Sequence, residues 1–248
     1  MPPSISIIIP TLNEATALPD CVTDARQGNP HQIIIADGGS SDATIAVAAE
    51  HGVHVVCSER GRARQMNAGA ASATGEVLLF LHADCRLPQV WPKAIESVLD
   101  DPSIGCGAFA HRIVSHRSTL RLISAADNWR ARWLHRPYGD QAIFVRRSLF
   151  EQIGGYPEAP ILEEVRLLQR LRRITRFRLA DAVVGTDARR WERHGVLKTT
   201  VINWTVLAGA ALRLPDWWLA RLYYGFAPPA GRPSSAVSPS FAPPQTRE

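Results

Sequence analysis

Four short runs rich in Ile and Val, at residues 5–9, 32–36, 53–57 and 76–81, constrain this chain more than any other feature. Their hydrophobicity is near-continuous and not alternating, as a strand buried on both faces requires. Polar stretches at 20–26, 42–50 and 62–73 separate them, each able to form a short helix, with Ser41 or Asp42 as a candidate cap for the second. Strand, helix, strand at this spacing predicts a parallel sheet with crossover helices. Trp91-Pro92 opens a further helix running to about Leu99, because proline is tolerated in a first helical turn.

Beyond residue 105 the pattern loosens. Residues 120–134 read as a helix with Leu122, Ile123, Ala126 and Trp129 on one side. A strand is predicted over 138–145, beginning at Gly139, then a short helix over 148–153 ended by Gly154-Gly155. Residues 162–171 read as a helix with Leu167, Leu168 and Leu171 inward, and the arginine-rich stretch 166–178 as a solvated helix face. Apolar, Trp-rich helices over 197–214 and 217–224 follow. From Phe226 onward six of 23 residues are proline among Ser and Ala, a composition that predicts disorder. The expected organisation is one α/β domain over 1–225 and a Pro/Ser-rich tail over 226–248.

A chain of 248 residues with 46% apolar and 21% charged content suits one catalytic-sized domain and excludes disorder throughout. The net charge of +5 suits a polyanionic small ligand, a membrane surface or nucleic acid. Aromatics interleaved with basic residues at a nucleic-acid-domain spacing are missing, so nucleic acid is not expected as a partner. Cys21, Cys57, Cys85 and Cys106 form no C-x-x-C pair and read as reduced thiols. With no basic leader before the first apolar run, and no apolar stretch of about 18 residues, a cytoplasmic protein is expected. Trp204, Trp217, Trp218, Tyr223 and Tyr224 allow either a packed C-terminal hairpin or a peripheral contact at the inner membrane face.

In an open parallel sheet, ligands bind outside the carboxyl ends of the strands. Pro10-Thr11-Leu12-Asn13-Glu14 follows the first strand, Asp37-Gly38-Gly39-Ser40-Ser41-Asp42 the second, and His82-Ala83-Asp84 the fourth. Glu14, Asp37 and Asp84 are therefore expected to converge on one acidic cleft, which needs a cation or ligand hydroxyls to offset like-charge repulsion. Asp37 has two readings, a turn former and cap or an acceptor for ribose hydroxyls. His82 and Asp84, two apart on a strand, point the same way and suit Mg²⁺ or Mn²⁺ held partly by ligand phosphates. Neither the G-x-G-x-x-G turn nor the P-loop motif is present.

PTLNE at 10–14, ADGGSSDAT at 36–44 and FLHAD at 80–84 resemble, in order and spacing, the nucleotide-binding half of family 2 glycosyltransferases of the GT-A fold. GDQAIFVRR at 139–147, GGYPE at 154–158, LEEVRLLQRLRR at 162–173 and RRW at 189–191 resemble the acceptor half of the small stand-alone members, some of them labelled arsenosugar-biosynthesis glycosyltransferases. The resemblance implies a Rossmann-like, mostly parallel sheet flanked by helices, with C-terminal helices. It also implies roles. Pro10, Thr11, Glu14, Asp37, Gly38 and Ala83 would line the nucleoside side, and Arg62, Arg64 and Asn67 would approach the diphosphate. Asp84 matches the last acid of the family's D-x-D motif, whose first acid is here His82, and the two would hold Mg²⁺ or Mn²⁺. The Glu-Asp pair before the acceptor helix appears as Glu163-Glu164, with Glu164 as the base.

These parts would suffice for inverting transfer of one sugar from a nucleoside diphosphate sugar, with uridine diphosphate expected, to a small-molecule or lipid-linked hydroxyl. The rivals are a non-catalytic sugar-nucleotide binder and another nucleotide-dependent transferase. Several residues keep two readings. Glu163 and Glu164 also suit a first helical turn, where acids favour the dipole. Asp140 would bind an acceptor hydroxyl or anchor its loop, with Gln141 beside it. Trp191, next to Arg190, would stack on an acceptor ring or fill the core, while Arg190 would meet a phosphate.

Overall fold

The computed structural model describes residues 2–135 and 137–225. Its first part alternates as the sequence predicts: β1 (Ile5–Thr11), α1 (Leu18–Gln27), β2 (Gln32–Asp37), α2 (Thr44–Glu50), β3 (His54–Cys57), α3 (Arg62–Ala71) and β4 (Val77–Phe80). The chain continues through β5 (Cys85–Arg86), α4 (Trp91–Leu99), β6 (Ile104–Val114) and α5 (Ser118–Leu134) to a 3-10 turn (Gly139–Gln141). After it come β7 (Phe144–Arg146), α6 (Arg147–Gln152), α7 (Glu163–Leu171), β8 (Arg176–Asp187), α8 (Arg189–His194), α9 (Val196–Ala211) and α10 (Asp216–Tyr224).

One eight-stranded sheet has the order β3-β2-β1-β4-β7-β6-β8-β5. Its β3-β2-β1-β4 side is parallel. Strand β7 runs antiparallel to both neighbours, β6 and β8 are parallel, and β5 closes the edge antiparallel to β8. Successive residues of the central strands serve opposite faces. Ile5, Ile7, Ile9, Ile33, Ile35 and Leu79 join a core with Leu18 and Val22 of α1 and Trp91 and Ile95 of α4. Ile8, Ile34, Leu78 and Phe80 join the other with Met66 of α3, Phe150 of α6 and Leu167 of α7. Helices on both faces are the reason the runs are continuously apolar.

Several expectations are corrected. The long strands β6 and β8 occupy stretches where the sequence pattern suggested nothing regular, or an arginine-rich helix; α7 stops at Leu171 and the chain is extended from Arg176. The strand expected over 138–145 is a 3-10 turn followed by the short β7, because Ala142 takes a left-handed conformation (φ 45°). His82 and Asp84 are not on a strand: β4 ends at Phe80, and the Cys85 N–H donates to the His82 carbonyl across a turn (3.0 Å). In α5 the buried residues are Leu120, Ser124 and Ala131, while Leu122 and Trp129 face out. Residues 226–248 lie outside the described part.

Phe80, Phe150 and Tyr156 form an aromatic triad, with centroids 5.2 Å apart for Phe80–Phe150 and 4.9 Å for Phe80–Tyr156. It joins β4, α6 and the Gly154-Gly155-Tyr156 loop. Phe150→Ala should therefore cost about 3–5 kcal/mol in urea unfolding with an unchanged m-value. A loss under about 1 kcal/mol would contradict this packing.

Candidate functional site

The register pairs Thr11 with Asp37 and Ile8 with Phe80, so β1, β2 and β4 deliver their following loops to one rim. The first loop interlocks with the second: Glu14 N–H donates to Thr44 Oγ1 (2.8 Å) and Ser41 N–H to Asn13 Oδ1 (2.8 Å). Asp37 is almost wholly buried and its two oxygens accept four hydrogen bonds. The donors are the Thr11 and Ser40 hydroxyls (3.0 and 2.5 Å) and the Gly39 and Ser40 amides (2.9 and 2.8 Å). A carboxylate has about four lone-pair sites. Asp37 thus fixes the shape of the turn between β2 and α2. Desolvation opposes its charge, but Ser40 and the other donors outweigh that and hold its acidity above the ordinary Asp range.

Glu14 and Asp84 do converge. Burial first, then the nearby Asp84 charge, raise the Glu14 pKa, while Arg189 counters from 3.4 Å. The same rim carries Arg62, the first residue of α3, whose Nη1 stands 3.8 Å from Glu163 Oε1. Desolvation works against the Arg62 charge, yet Tyr224, Glu163, Glu164 and Asp84 outweigh it and fix the guanidinium as a cation.

At the centre lies Glu164, 5% exposed, on the first turn of α7. The residue before the pair, Leu162, is left-handed (φ 61°), a strained conformation for a side chain of this kind. Glu164 Oε1 is 3.8 Å from His82 Nε2, and neither atom has a hydrogen-bond partner. Gly139 backbone passes beside both: a Cβ there would lie 2.3 Å from Glu164 Oε1 and 2.5 Å from His82 Nε2. Only glycine admits that approach. Burial, then the Glu163 charge, push the Glu164 pKa up to about 8. Burial and then Arg62 push the His82 pKa down. Near neutral pH the two are thus a neutral pair, not a salt bridge. The Asp140 Oδ1 and Tyr156 hydroxyl oxygens are also buried without a partner. Buried polar groups in folded proteins are normally hydrogen-bonded, so such a cluster sets this place apart from the rest of the interior.

A strut behind this cleft was not legible from sequence. His111, on β6 and 2% exposed, lies 3.3 Å from Asp127 Oδ2 through Nε2 and 3.5 Å from Asp140 Oδ2 through Nδ1. Asn128 clasps the His111 backbone at both N–H and carbonyl (2.8 and 2.9 Å). Desolvation disfavours the His111 cation, but Asp140 and Asp127 more than offset it, so its pKa is raised. The signal in the sequence was weak: an Asp127-Asn128 pair in a helix of mixed polarity.

Other residues expected at the site also make contacts within the protein. Asn67 bonds the Tyr156 backbone in both directions (2.9 and 2.8 Å), which holds the Gly155 turn (φ 73°) in place. Arg64 pairs with Glu59 and Glu158. Gln141 is fully buried and donates to the Phe109 carbonyl (3.1 Å), while its Oε1 accepts from the Tyr138 amide (3.2 Å). Trp191 is partly buried and packs with Ile113, Leu120 and Ala188. Pro10 is the penultimate residue of β1, Ala83 is buried in the core, and the Gly38 amide donates to the Thr11 carbonyl (2.9 Å). The buried Gln65, missed in the sequence, donates to the Thr11 and Ala36 carbonyls (2.7 and 2.9 Å) and ties β1 to β2. The Arg190 side chain lies outside the described part.

Among the described residues no three His, Cys, Asp or Glu side chains gather to hold a metal ion. Asp84 offers one carboxylate at the rim, which fits Mg²⁺ or Mn²⁺ completed by ligand phosphates and does not fit a protein-only site.

A model of glycosyl transferase family 2 matches residues 6–156. The chain belongs to glycosyltransferase family 2. It is similar to the PGL/p-HBAD biosynthesis glycosyltransferase of Mycobacterium bovis (strain BCG / Pasteur 1173P2), 34% identical over 163 residues that cover 62% of this chain and 63% of that protein. The chain thus spans under two thirds of the curated relatives it matches. Its fold is shared with a Pyrobaculum calidifontis mannosyltransferase solved with GDP-Man and Mn²⁺, with TM-score 0.66 and 18% identity over 90% of this chain and 70% of that one. It is also shared with Mycobacterium tuberculosis glucosyl-3-phosphoglycerate synthase solved with Mn²⁺, UDP and phosphoglyceric acid, with TM-score 0.55 and 20% identity over 75% and 70%. The GT-A-type fold of this family 2 chain is therefore shown.

Because the His111 pKa is raised on folding, its contribution to stability is complete below about pH 6.5 and fades as pH rises through the folded value. His111→Gln should lower the thermal midpoint most near pH 6, by about 2–4 °C per kcal/mol lost. The gap to wild type should narrow by pH 9; a gap independent of pH would contradict the charged strut.

Proposed function

We propose that this family 2 chain moves one sugar from a nucleoside diphosphate to an acceptor hydroxyl with inversion, using Glu164 as the base. The observation that carries the reading is the buried Glu164 carboxyl, whose Oε1 has no hydrogen-bond partner, beside the Arg62–Glu163 pair, at the rim that also holds Asp84. Burial raises its pKa toward neutrality, where a general base works best. In the ionised form, Glu164 takes the acceptor hydroxyl proton as that oxygen attacks the anomeric carbon from the face opposite the diphosphate. The bond from the anomeric carbon to the diphosphate oxygen breaks, and the departing group carries away the electron pair. Arg62 meets that negative charge, and Glu163 holds the guanidinium in place. His82, uncharged, flanks the base and does not compete for its proton. Asp140, held from behind by His111, is placed to bind the acceptor. Pro10 and Glu14 border the nucleoside side, in a loop whose shape Asp37 fixes. Asp84 would hold a Mg²⁺ or Mn²⁺ ion, which would supply further charge neutralisation.

The acceptor is a small-molecule or lipid-linked hydroxyl. Uridine diphosphate is the first nucleotide to test, and guanosine diphosphate the second arm, because the two similar structures were solved with one nucleotide of each kind. Calorimetric titration should show nucleotide binding that Mn²⁺ strengthens in wild type and in Glu164→Gln alike. Turnover on a donor-sugar panel should fall about 10²–10⁴-fold in Glu164→Gln. Nucleotide binding without turnover of any donor would favour the non-catalytic binder, and no binding at all would end the reading.

Two pH effects separate a base from a structural acid. The acid limb of kcat/KM should lie near pH 8, far above an ordinary glutamate, since that ratio reports the free enzyme. The raised pKa also means that ionisation of Glu164 erodes stability as pH rises from the ordinary carboxylate range toward 8. Glu164→Gln should therefore melt above wild type at pH 9, with the difference shrinking toward pH 5. A lower melting point for the variant at pH 9 would count against a buried, strained carboxylate.

A further inference from the structure

Five of the seven tryptophans do not serve the core: Trp129, Trp133, Trp204, Trp217 and Trp218 are 40–67% exposed. They lie on α5, α9 and α10, and their spacing is helical. Leu122, Ala126, Trp129 and Trp133 fall on one face of α5; Leu197, Val201 and Trp204 fall on one face of α9. Both faces turn outward, since the opposite faces pack inward through Leu120 and Ala131 on α5 and through Val206 on α9. The two helices meet in one small cluster, where Ile123 and Val196 pack on Ile113, Leu120 and Ala188. Soluble monomers rarely expose apolar residues in such continuous stripes, and a rim of polar residues around them marks an interaction site.

Charge selects the occupant. The only acids on α5, α9 and α10 are Asp127 and Asp216, and both pair inward, with Arg130 and His111 and with Arg166. Among the described residues no ion pair engages Arg121, Lys198, Arg213 or Arg221, and all four are exposed. A second copy of this face would set cation against cation, which disfavours a symmetric dimer. Tryptophan with uncompensated Lys and Arg matches a lipid headgroup layer, where the indole ring prefers the boundary and each basic residue gains about 1 kcal/mol from anionic lipid. No described helix is long and apolar enough to cross a membrane, so the contact is made from one side.

We propose that the α5, α9 and α10 face docks on an anionic bilayer surface. The inner side of the α9–α10 hairpin packs on Ile161 and Leu162, directly before Glu163 and Glu164, so a docked molecule holds its cleft close to the headgroups. The proposal does not depend on the transfer chemistry, and its test uses no donor or acceptor. Full-length protein is sedimented with vesicles of phosphatidylcholine alone and of phosphatidylcholine with phosphatidylglycerol.

The expected result is partition onto the anionic vesicles, about tenfold weaker on neutral ones or in high salt, with a blue shift of tryptophan emission. The triple variant Trp204→Ser, Trp217→Ser, Trp218→Ser should lose about tenfold or more in partition. It should keep the wild-type circular dichroism and nucleotide affinity. Should that variant lose its fold, the pair Arg213→Glu and Arg221→Glu, which leaves the apolar face intact, provides the same comparison on anionic vesicles. Failure to sediment with either vesicle would overturn the proposal, as would partition insensitive to both variants. So would a concentration-dependent dimer in light scattering that the variants convert to monomer, which would assign the face to a second copy. Equal partition onto both lipids would overturn the anionic preference.

Discussion

The whole arrangement depends on the shared direction of β3, β2, β1 and β4. Strands that run parallel put all their carboxyl ends at one edge, and the loops that leave that edge have no choice but to meet. Interior burial of both faces makes this edge rigid, because Ile, Val and Leu from alternate positions are locked between helices on either side. The loops themselves then need only short-range bonds to hold shape, and the Asp37 turn with its four donors is the clearest instance.

The antiparallel insertion of β7 between β4 and β6 changes what the edge can do. It brings the Gly139–Gln141 turn against the end of β4, so that Gly139 lies beside His82 and Glu164. Chain segments far apart in sequence thereby share one desolvated volume. Burial, not any single neighbour, is the main reason Glu164 resists ionisation, while Arg62 and the Glu163 charge set the balance around it. His111 extends the same network to the back of the sheet, where Asp127 and Asn128 of α5 hold it. Cleft and α5 are thus mechanically joined, and α5 is also one of the three helices that present tryptophan outward.

The first half of the fold was legible because its signal is local. A strand buried on both faces writes itself as a run of β-branched residues, and the helices between differ sharply in polarity. In β8 the alternation Arg176, Phe177, Arg178, Leu179 was present, with the arginines exposed and the apolar residues buried, but it adjoined an arginine-rich helix and read as its continuation. Strand β6 carries Gly105 and Gly107, whose absent side chains make room for Leu149 and Phe144 and weaken any periodic signal. At the site, the contacts that folding supplies were not legible. Asn67, Gln141 and Arg64 bond backbone or acids brought near by folding, Tyr156 and Glu158 lying about ninety positions away from Asn67 and Arg64.

The amino-acid order by itself determined the parallel half, the side of the sheet that gathers acids and the resemblance to family 2, because those depend on patterns within a few residues. Tertiary structure decided which polar groups are free to act. Whether a carboxylate is saturated, as in Asp37, or buried with an oxygen left without a partner, as in Glu164, depends on donors that other segments supply and on how much water they exclude, and neither quantity is written at the residue itself.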